Sequence, residues 1–368
     1  MRVALIGGGT AGHLAPCVAI AEALRTLAPD AELLLVAANR DLDRQLLDRS
    51  EWPHTFVDAR PFPYGLRLEL VSAGFALLRA RRQAGSHLRA FRPDVAIGTG
   101  GYVSLAAVPA AHRLGVPVVL HAADGLPDRA SRSLAPLARV IALGYASAQT
   151  YFPRSRTVHT GVPIRRDILE PDRAEALARL GLAESKRTVV VMGGSQGAQR
   201  LNEAVTAALP RLLERGDVQV LHLTGSTQFG AVRAATSGFA PQNGYHPLPY
   251  LEEMGFALAA ADLVVNRAGA NSIAEVMARG VPAVLVPYPY AGGHQRLNAL
   301  PFVEAGAAIV VDDADLGEER LLGLVDELFG DPPRLAAMAA QCAAVSRPHA
   351  AEEIAHLALR LAEARPSG

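Results

Sequence analysis

Short apolar runs rich in Val, Ile and Leu alternate along this chain with longer stretches whose apolar positions recur at helical spacing. Val3 to Ile6, Glu32 to Val36, Asp94 to Ile97, Val116 to Leu120 and Val140 to Ala142 read as the strands of a first half. Stretches between them, such as Pro16 to Leu27, read as helices, and strands separated by helices imply βαβ units around a parallel sheet. The scheme then repeats in Thr188 to Met192, Val218 to Leu223, Leu263 to Val265, Ala283 to Val286 and Ala308 to Val311. An internal echo supports the repeat: VALIGGGTAGHLAP near the start and VVVMGGSQGAQRLN at Val189 to Asn202 are both a strand, a glycine-rich turn and a helix start. Two doubly wound α/β domains in tandem are the economical expectation. Their boundary is expected near Gly161 to Ile168, giving domains 1–163 and 164–345, followed by a closing helix and tail over 346–368.

The glycine turns are the first candidate chemistry. Between a strand and a helix, glycine lets the backbone approach a phosphate, and the helix start supplies N–H groups and partial positive charge. Gly7 to Gly12 and Gly193 to Gly197 are both placed for that, although a tight connection alone explains either one. Neither dinucleotide nor P-loop chemistry fits the first. No Gly-Lys-Ser/Thr follows it, and Asp30 or Glu32 is only an ambiguous ribose-binding acid. His13 ends that loop where the helix begins, a position that disfavours an imidazolium and suits a general base, or equally a local cap. Glu275, expected on a first helical turn after Leu263 to Val265, is able to accept both hydroxyls of a ribose, or merely to complement a helix dipole. Gly292 to Gln295 and Asn298 follow another apolar strand and offer amides for reading sugar hydroxyls. Asp313 and Asp315 imitate a metal-binding pair but read as a solvated loop.

Composition narrows the classes. The 368 residues hold 36 basic and 36 acidic side chains, and a zero sum argues against a dedicated nucleic-acid binder. The sum hides a separation: residues 1–160 hold 18 basic and 12 acidic side chains, leaving 18 and 24 for the rest, so the halves carry +6 and −6. Arg60 to Arg92 alone has seven Arg against one Glu, interleaved with Leu66, Leu70, Phe75, Leu77, Leu78 and Phe91. This reads either as a core helix with a solvated Arg face or as a basic amphipathic element for an anionic leaflet. Cys17 and Cys342 are far apart and form neither a disulfide framework nor a zinc site, which fits a reducing cytoplasm. The glycines and His13 make the N-terminus a strand, loop and helix rather than a signal peptide. The longest uncharged run, Val95 to His112, is broken by Gly and Pro and predicts two elements, not a membrane span.

Taken in order, GGGTAGH, GTGGYVSLAAVPAAHRLGVPVVLH, GGSQGAQRLN, RAGANSIAEVMARGVPAVLVPYPY and HQRLNALPFVEAGAA resemble the MurG family over nearly the whole chain. The resemblance implies a GT-B fold, in which two Rossmann-like doubly wound parallel-sheet domains face a cleft. It also implies inverting transfer of N-acetylglucosamine from UDP-GlcNAc to the 4-hydroxyl of undecaprenyl-pyrophosphoryl-N-acetylmuramyl-pentapeptide. By matching position it assigns Gly194, Ser195 and Gln196 to the diphosphate, Arg165 to the nucleotide pocket and Leu251 to uracil. Ala270, Asn271, Ser272 and Glu275 are assigned to phosphate and ribose, and His294 and Gln295 to the sugar. Thr10, Ala11 and Gly12 match the family's loop beneath the sugar and pyrophosphates, and His13 its motif histidine, the expected base, with Asp124 as the other candidate. Implied partners are the two substrates, an anionic membrane surface met by residues 60–92 on the cytoplasmic face, and the cell-wall and division machinery. No cofactor or metal-ligand set is evident, and a divalent-cation requirement stays open. Two departures stand out. Ala11 replaces a glycine of the family's GGTGGH, and the family's His-Glu-Gln-Asn reads His121-Ala122-Ala123-Asp124 here. The rival readings are another lipid glycosyltransferase of the same fold and a UDP-GlcNAc 2-epimerase, which needs no second acceptor.

Overall fold

A computed structural model describes residues 1–61, 67–194, 197–290 and 293–364, which divide into two compact units. The first comprises residues 1–165 together with the C-terminal segment from Arg347, and the second residues 166–346.

The first unit is a seven-stranded sheet: β1 (Arg2–Ile6), β2 (Glu32–Ala38), β3 (His54–Val57), β4 (Val95–Gly98), β5 (Val118–Ala122), β6 (Val140–Leu143) and β7 (Thr157–His159). Its order is β3-β2-β1-β4-β5-β6-β7 and the pairs are parallel. Alternation along the strands divides the core in two. Val3 and Leu5 point to one face, and Ala4 and Ile6 to the other. The first face packs against helix α1 (Ala11–Leu27) through Ile20 and Leu24, and against the C-terminal helix Ala350–Glu363 through Ile354 and Ala358. That apolar stripe returns the end of the chain to the first unit. The second face is covered by α3 (Arg67–Phe91) and α4 (Gly101–Arg113), while the short α2 (Asp41–Leu47) follows β2. The uncharged run thus splits into β4 and α4 around Thr99 and Gly100.

Within α3, Ala80, Ala84 and Leu88 are fully buried at helical spacing. On the outward side Phe75 is 71% and Leu78 49% exposed, beside the exposed Arg79, Arg82 and Arg89. The helix therefore has a core face and also an outward stripe in which apolar and basic side chains mix. Residues 62–66 of the basic segment lie outside the described residues.

The second unit is a six-stranded parallel sheet of β8 (Arg187–Met192), β9 (Val218–Leu223), β10 (Tyr245–Leu248), β11 (Leu263–Asn266), β12 (Ala283–Leu285) and β13 (Ala308–Val310), ordered β10-β9-β8-β11-β12-β13. Helices Gln199–Glu214 and Glu318–Gly330 bury Leu201, Leu209, Leu321 and Leu328 against one face. Both sheets reverse strand order beside their first strand, between β1 and β4 and between β8 and β11. A crevice forms at the carboxyl ends of the strands at such a point.

Candidate active site

The first crevice holds the Gly7–Gly12 loop after β1 and Thr99–Gly101 after β4. Thr10 caps α1 without a side-chain bond, and its carbonyl accepts from the N–H groups of His13 (3.1 Å) and Leu14 (3.2 Å). His13 is half-buried in the first turn, with Nδ1 3.0 Å from the Thr99 carbonyl oxygen. A carbonyl only accepts, so Nδ1 carries the hydrogen, and the tautomer this selects has its lone pair on Nε2. The Thr99 hydroxyl returns a bond to the His13 carbonyl (2.7 Å) and accepts from Cys17 Sγ (3.3 Å). Burial pushes the Cys17 thiol up to about 12, which leaves it an unreactive core thiol.

Asp124 is half-buried two residues beyond the carboxyl end of β5. Burial first, and the Asp124 charge second, push the Tyr145 phenol upward. His121, on β5 itself, is completely buried and donates Nδ1–H to the Ala142 carbonyl at 3.2 Å. Burial lowers its pKa to about 4, so it is neutral near pH 7.

The second crevice, within the other unit, is built on loops after β8, β11 and β12. Of the first of these, Gly193, Gly194 and Gly197 are described, and Ser195 and Gln196 lie outside the described residues. Gly197 adopts φ +77° and packs so closely on the Thr224 carbonyl that a Cβ would lie 2.3 Å from its oxygen. That carbonyl accepts from Asn202 Nδ2 (2.9 Å), which also donates to Gln228 Oε1 (2.7 Å). With its nitrogen committed, Asn202 accepts through Oδ1 from His222 Nε2–H (3.0 Å), and His222 Nδ1 accepts from the Tyr245 hydroxyl (3.0 Å). Burial holds the His222 pKa down to about 3, so the chain beneath the loop is neutral.

After β11, the helix Ala270–Ala278 starts from Gly269, which offers no side-chain cap. Its N-terminal dipole end points out of the crevice side of the sheet, as anion sites require. Ser272 Oγ donates to the Gly269 carbonyl at 3.1 Å. Glu275 is the sixth helical residue, in the second turn rather than the first, because the helix begins at Ala270. Gln295 lies in the helix His294–Glu304 and joins two loops: its Oε1 accepts from Ala268 N (3.1 Å) and Tyr288 N (2.9 Å). Its Oε1 is thus engaged twice, which leaves the amide nitrogen as the end able to meet a ligand, as a donor. Asn298, fully buried, donates to the Ala268 carbonyl at 3.2 Å. Leu251 is half-buried, three residues past β10, and Arg165 closes the first unit's run of chain.

Asp313 departs from the solvated loop expected for it. Its carboxylate pairs with Arg267 and is only 20% exposed, while Arg267 also donates to the Val286 carbonyl and lies over the Tyr288 ring. Among the described residues no group of three or more His, Cys, Asp or Glu could hold a metal ion. Sequence reasoning passed over Thr99, Asn202 and Arg267. All three stand inside motifs already singled out, and that was the available signal.

Tandem doubly wound parallel sheets, each with a glycine-loop crevice where its strand order reverses, define the GT-B fold class. Residues 3–143 match the glycosyltransferase family 28 N-terminal domain, and residues 188–354 the family 28 C-terminal domain. The UDP-N-acetylglucosamine–N-acetylmuramyl-(pentapeptide) pyrophosphoryl-undecaprenol N-acetylglucosamine transferase of Halothermothrix orenii is 39% identical over 97% of this chain and 98% of its own. Among solved structures, the Acinetobacter baumannii MurG superposes with a TM-score of 0.74 at 28% identity, covering 98% of this chain and 99% of that one. A putative UDP-N-acetylglucosamine 2-epimerase of Listeria monocytogenes, 14% identical, gives 0.72 over 96% of this chain and 94% of its own, a likeness of fold alone. The chain belongs to the MurG family within glycosyltransferase family 28.

Proposed function

We propose that this protein transfers N-acetylglucosamine from UDP-GlcNAc to the 4-hydroxyl of undecaprenyl-pyrophosphoryl-N-acetylmuramyl-pentapeptide, completing the lipid-linked precursor of peptidoglycan. The observation that carries the reading is end-to-end identity to a transferase named for that reaction, 39% over 97% of the chain. The 2-epimerase alternative rests on the shared fold alone, at 14% identity.

In this reading His13 Nε2 takes the proton of the acceptor hydroxyl as its oxygen attacks the anomeric carbon. The bond from that carbon to the diphosphate breaks, UDP leaves with the electron pair, and the configuration inverts. The bond to Thr99 supports this role, since it puts the hydrogen on Nδ1 and leaves the lone pair on Nε2 of the neutral ring. Asp124 is the second candidate for the base. The donor is assigned to the second unit and Arg165: diphosphate on the Gly193–Gly197 loop and the uncapped start of Ala270–Ala278, ribose on Glu275, uracil beside Leu251, sugar on Gln295 and His294. Helix N-termini then stabilise the departing UDP. Thr10 and Gly12 lie beneath the reacting sugars. With the acceptor's lipid in the bilayer, the outward stripe of α3, Phe75 and Leu78 among Arg79, Arg82 and Arg89, is proposed to rest on the anionic cytoplasmic leaflet. Among the described residues no helix is long and apolar enough to cross a membrane.

Incubation with labelled UDP-GlcNAc and a short-chain lipid-linked muramyl-pentapeptide should give labelled lipid product, and UDP-GlcNAc alone should give no manno isomer. Appearance of that isomer without transfer would replace the reading with epimerisation. For the membrane role, Phe75→Ser with Leu78→Ser should weaken binding to anionic vesicles by about tenfold or more, since each buried large apolar side chain contributes about 1.5–3 kcal/mol. Unchanged vesicle binding would remove α3 from the membrane.

A further inference from the structure

Asp43, on α2, belongs to none of the motifs, yet its side chain is buried to 1% exposure. Its Oδ2 accepts the N–H groups of Gly9 (2.6 Å) and Ala38 (3.1 Å). Arg40, which precedes α2 and is exposed, donates Nη1 to the Gly9 carbonyl (3.1 Å) and to the Tyr102 hydroxyl (3.2 Å). The short stretch from Arg40 to Asp43 therefore holds both the amide and the carbonyl of Gly9. The Tyr102 ring closes a third side: at φ +85°, a Cβ on Gly9 would lie 2.1 Å from Tyr102 Cζ. Next in the chain comes Thr10, whose carbonyl receives the N–H of His13. The Gly9–Thr10 peptide thus sets the first turn of α1, from which the His13 side chain reaches the Thr99 carbonyl.

Stability alone does not explain a carboxylate here. Asp43 Oδ1 is buried with no hydrogen-bond partner among the described residues, and burial raises the carboxyl's pKa against the pull of the Gly9 and Ala38 amides. A buried carboxylate with one oxygen unpartnered is a weak source of stability, and an apolar side chain commonly serves better. What an apolar residue would not do is grip the Gly9 amide.

We infer that Asp43 and Arg40 are positioning residues for His13, a clamp on the Gly9 peptide that holds the base at its working angle. The inference rests on the reading of His13 as the base. It differs from a general folding role because its effect passes through one side chain.

The test uses the full chain in the transfer assay, with kcat, both KM values, UDP-GlcNAc affinity and thermal midpoint measured for each variant. Asp43→Ala should lower kcat about 30- to 100-fold and Arg40→Ala about 5- to 10-fold, as expected for a misplaced catalytic group. In both, KM for UDP-GlcNAc should change far less than kcat, because the nucleotide part of the donor is assigned to the second unit. Asp43→Asn should recover to within about fivefold of wild type, since its amide oxygen can accept the Gly9 N–H. The deciding arm is Arg40→Ala in a His13→Ala background, where no further loss is expected because residues acting through one group are not additive. Wild-type kcat in Arg40→Ala, or a loss that multiplies onto that of His13→Ala, overturns the clamp. If Asp43→Ala does not fold, Arg40→Ala at an exposed position carries the decision alone. Undiminished turnover in His13→Ala would instead remove the base assignment, and the inference with it.

Discussion

The two glycine loops share a plan of strand, turn and helix, and differ in what lies under them. Beneath Gly7–Gly12 is a buried carboxylate, Asp43, which consumes the Gly9 amide. Beneath Gly193–Gly197 is a neutral chain from Tyr245 through His222 and Asn202 to the Thr224 carbonyl. Electrostatics makes the contrast meaningful. A buried negative charge under a loop that must hold a diphosphate would oppose the ligand, whereas a neutral support leaves the helix dipole unopposed. The same acid is more tolerable under a loop whose proposed task is chiefly to aim an imidazole. On the proposed reading one plan of backbone supports two jobs, presenting a base and holding the donor's diphosphate, distinguished by side chains, Asp43 and His222, outside the glycine motifs.

If the division is right, damage to each loop reads out in a different kinetic constant. The largest effect is expected from His13→Ala: kcat should fall about 10²- to 10⁴-fold, with donor affinity preserved. Turnover undiminished at saturating acceptor would hand the base role to Asp124, and Asp124→Asn measured beside it would then carry the loss. Glu275→Ala should act on the other side of the comparison. Loss of a carboxylate bonded to ribose hydroxyls is worth about 1.5–3 kcal/mol, so KM for UDP-GlcNAc should rise about 10- to 100-fold while kcat changes much less. A Glu275→Ala enzyme with normal KM and depressed kcat would place Glu275 in the chemistry and erase the division of labour.

Much of this was legible in the residues and the missing parts share a cause. Central strands such as β1 and β8 announce themselves as apolar runs because both their faces are buried. The strands passed over, HTFV of β3, TVH of β7 and YHPL of β10, are short and close a sheet edge. They carry His and Pro and owe their existence to one neighbour's hydrogen bonds. Glycine loops were readable because turn chemistry is local. Asp43 was not, since its partner Gly9 is 34 positions away, and Thr99 reaches His13 across 86. Arg267 and Asp313 concealed each other in the same way: seen singly, each is a surface charge, and together they are a half-buried pair. Glu275 was assigned a turn too early because nothing in NRAGANS marks Gly269 as the cap.

The smallest effect probes the neutral support itself and is a matter of pH. His121 in the first unit and His222 in the second are buried, with pKa values lowered by burial to about 4 and about 3 from an ordinary 6.5. In the unfolded chain each takes a proton near pH 6.5, while the folded protein refuses it. Between pH 6.5 and the folded value the unfolded state therefore binds more protons, and stability must fall as pH falls. Full stability from these groups is present above pH 6.5 and is lost progressively toward pH 4 for His121 and toward pH 3 for His222. Each contributes a slope of about 1.4 kcal/mol per pH unit inside its window. His222→Gln keeps hydrogen-bonding ends for Tyr245 and Asn202 but cannot titrate. Denaturant unfolding of this variant at pH 6, 5 and 4.5 should show a pH slope shallower than wild type by about one proton's worth. Equal slopes would mean that His222 is protonated in the folded protein. The chain under Gly193–Gly197 would then carry positive charge, and the contrast between the loops would become one of opposite signs rather than of an acid against a neutral support.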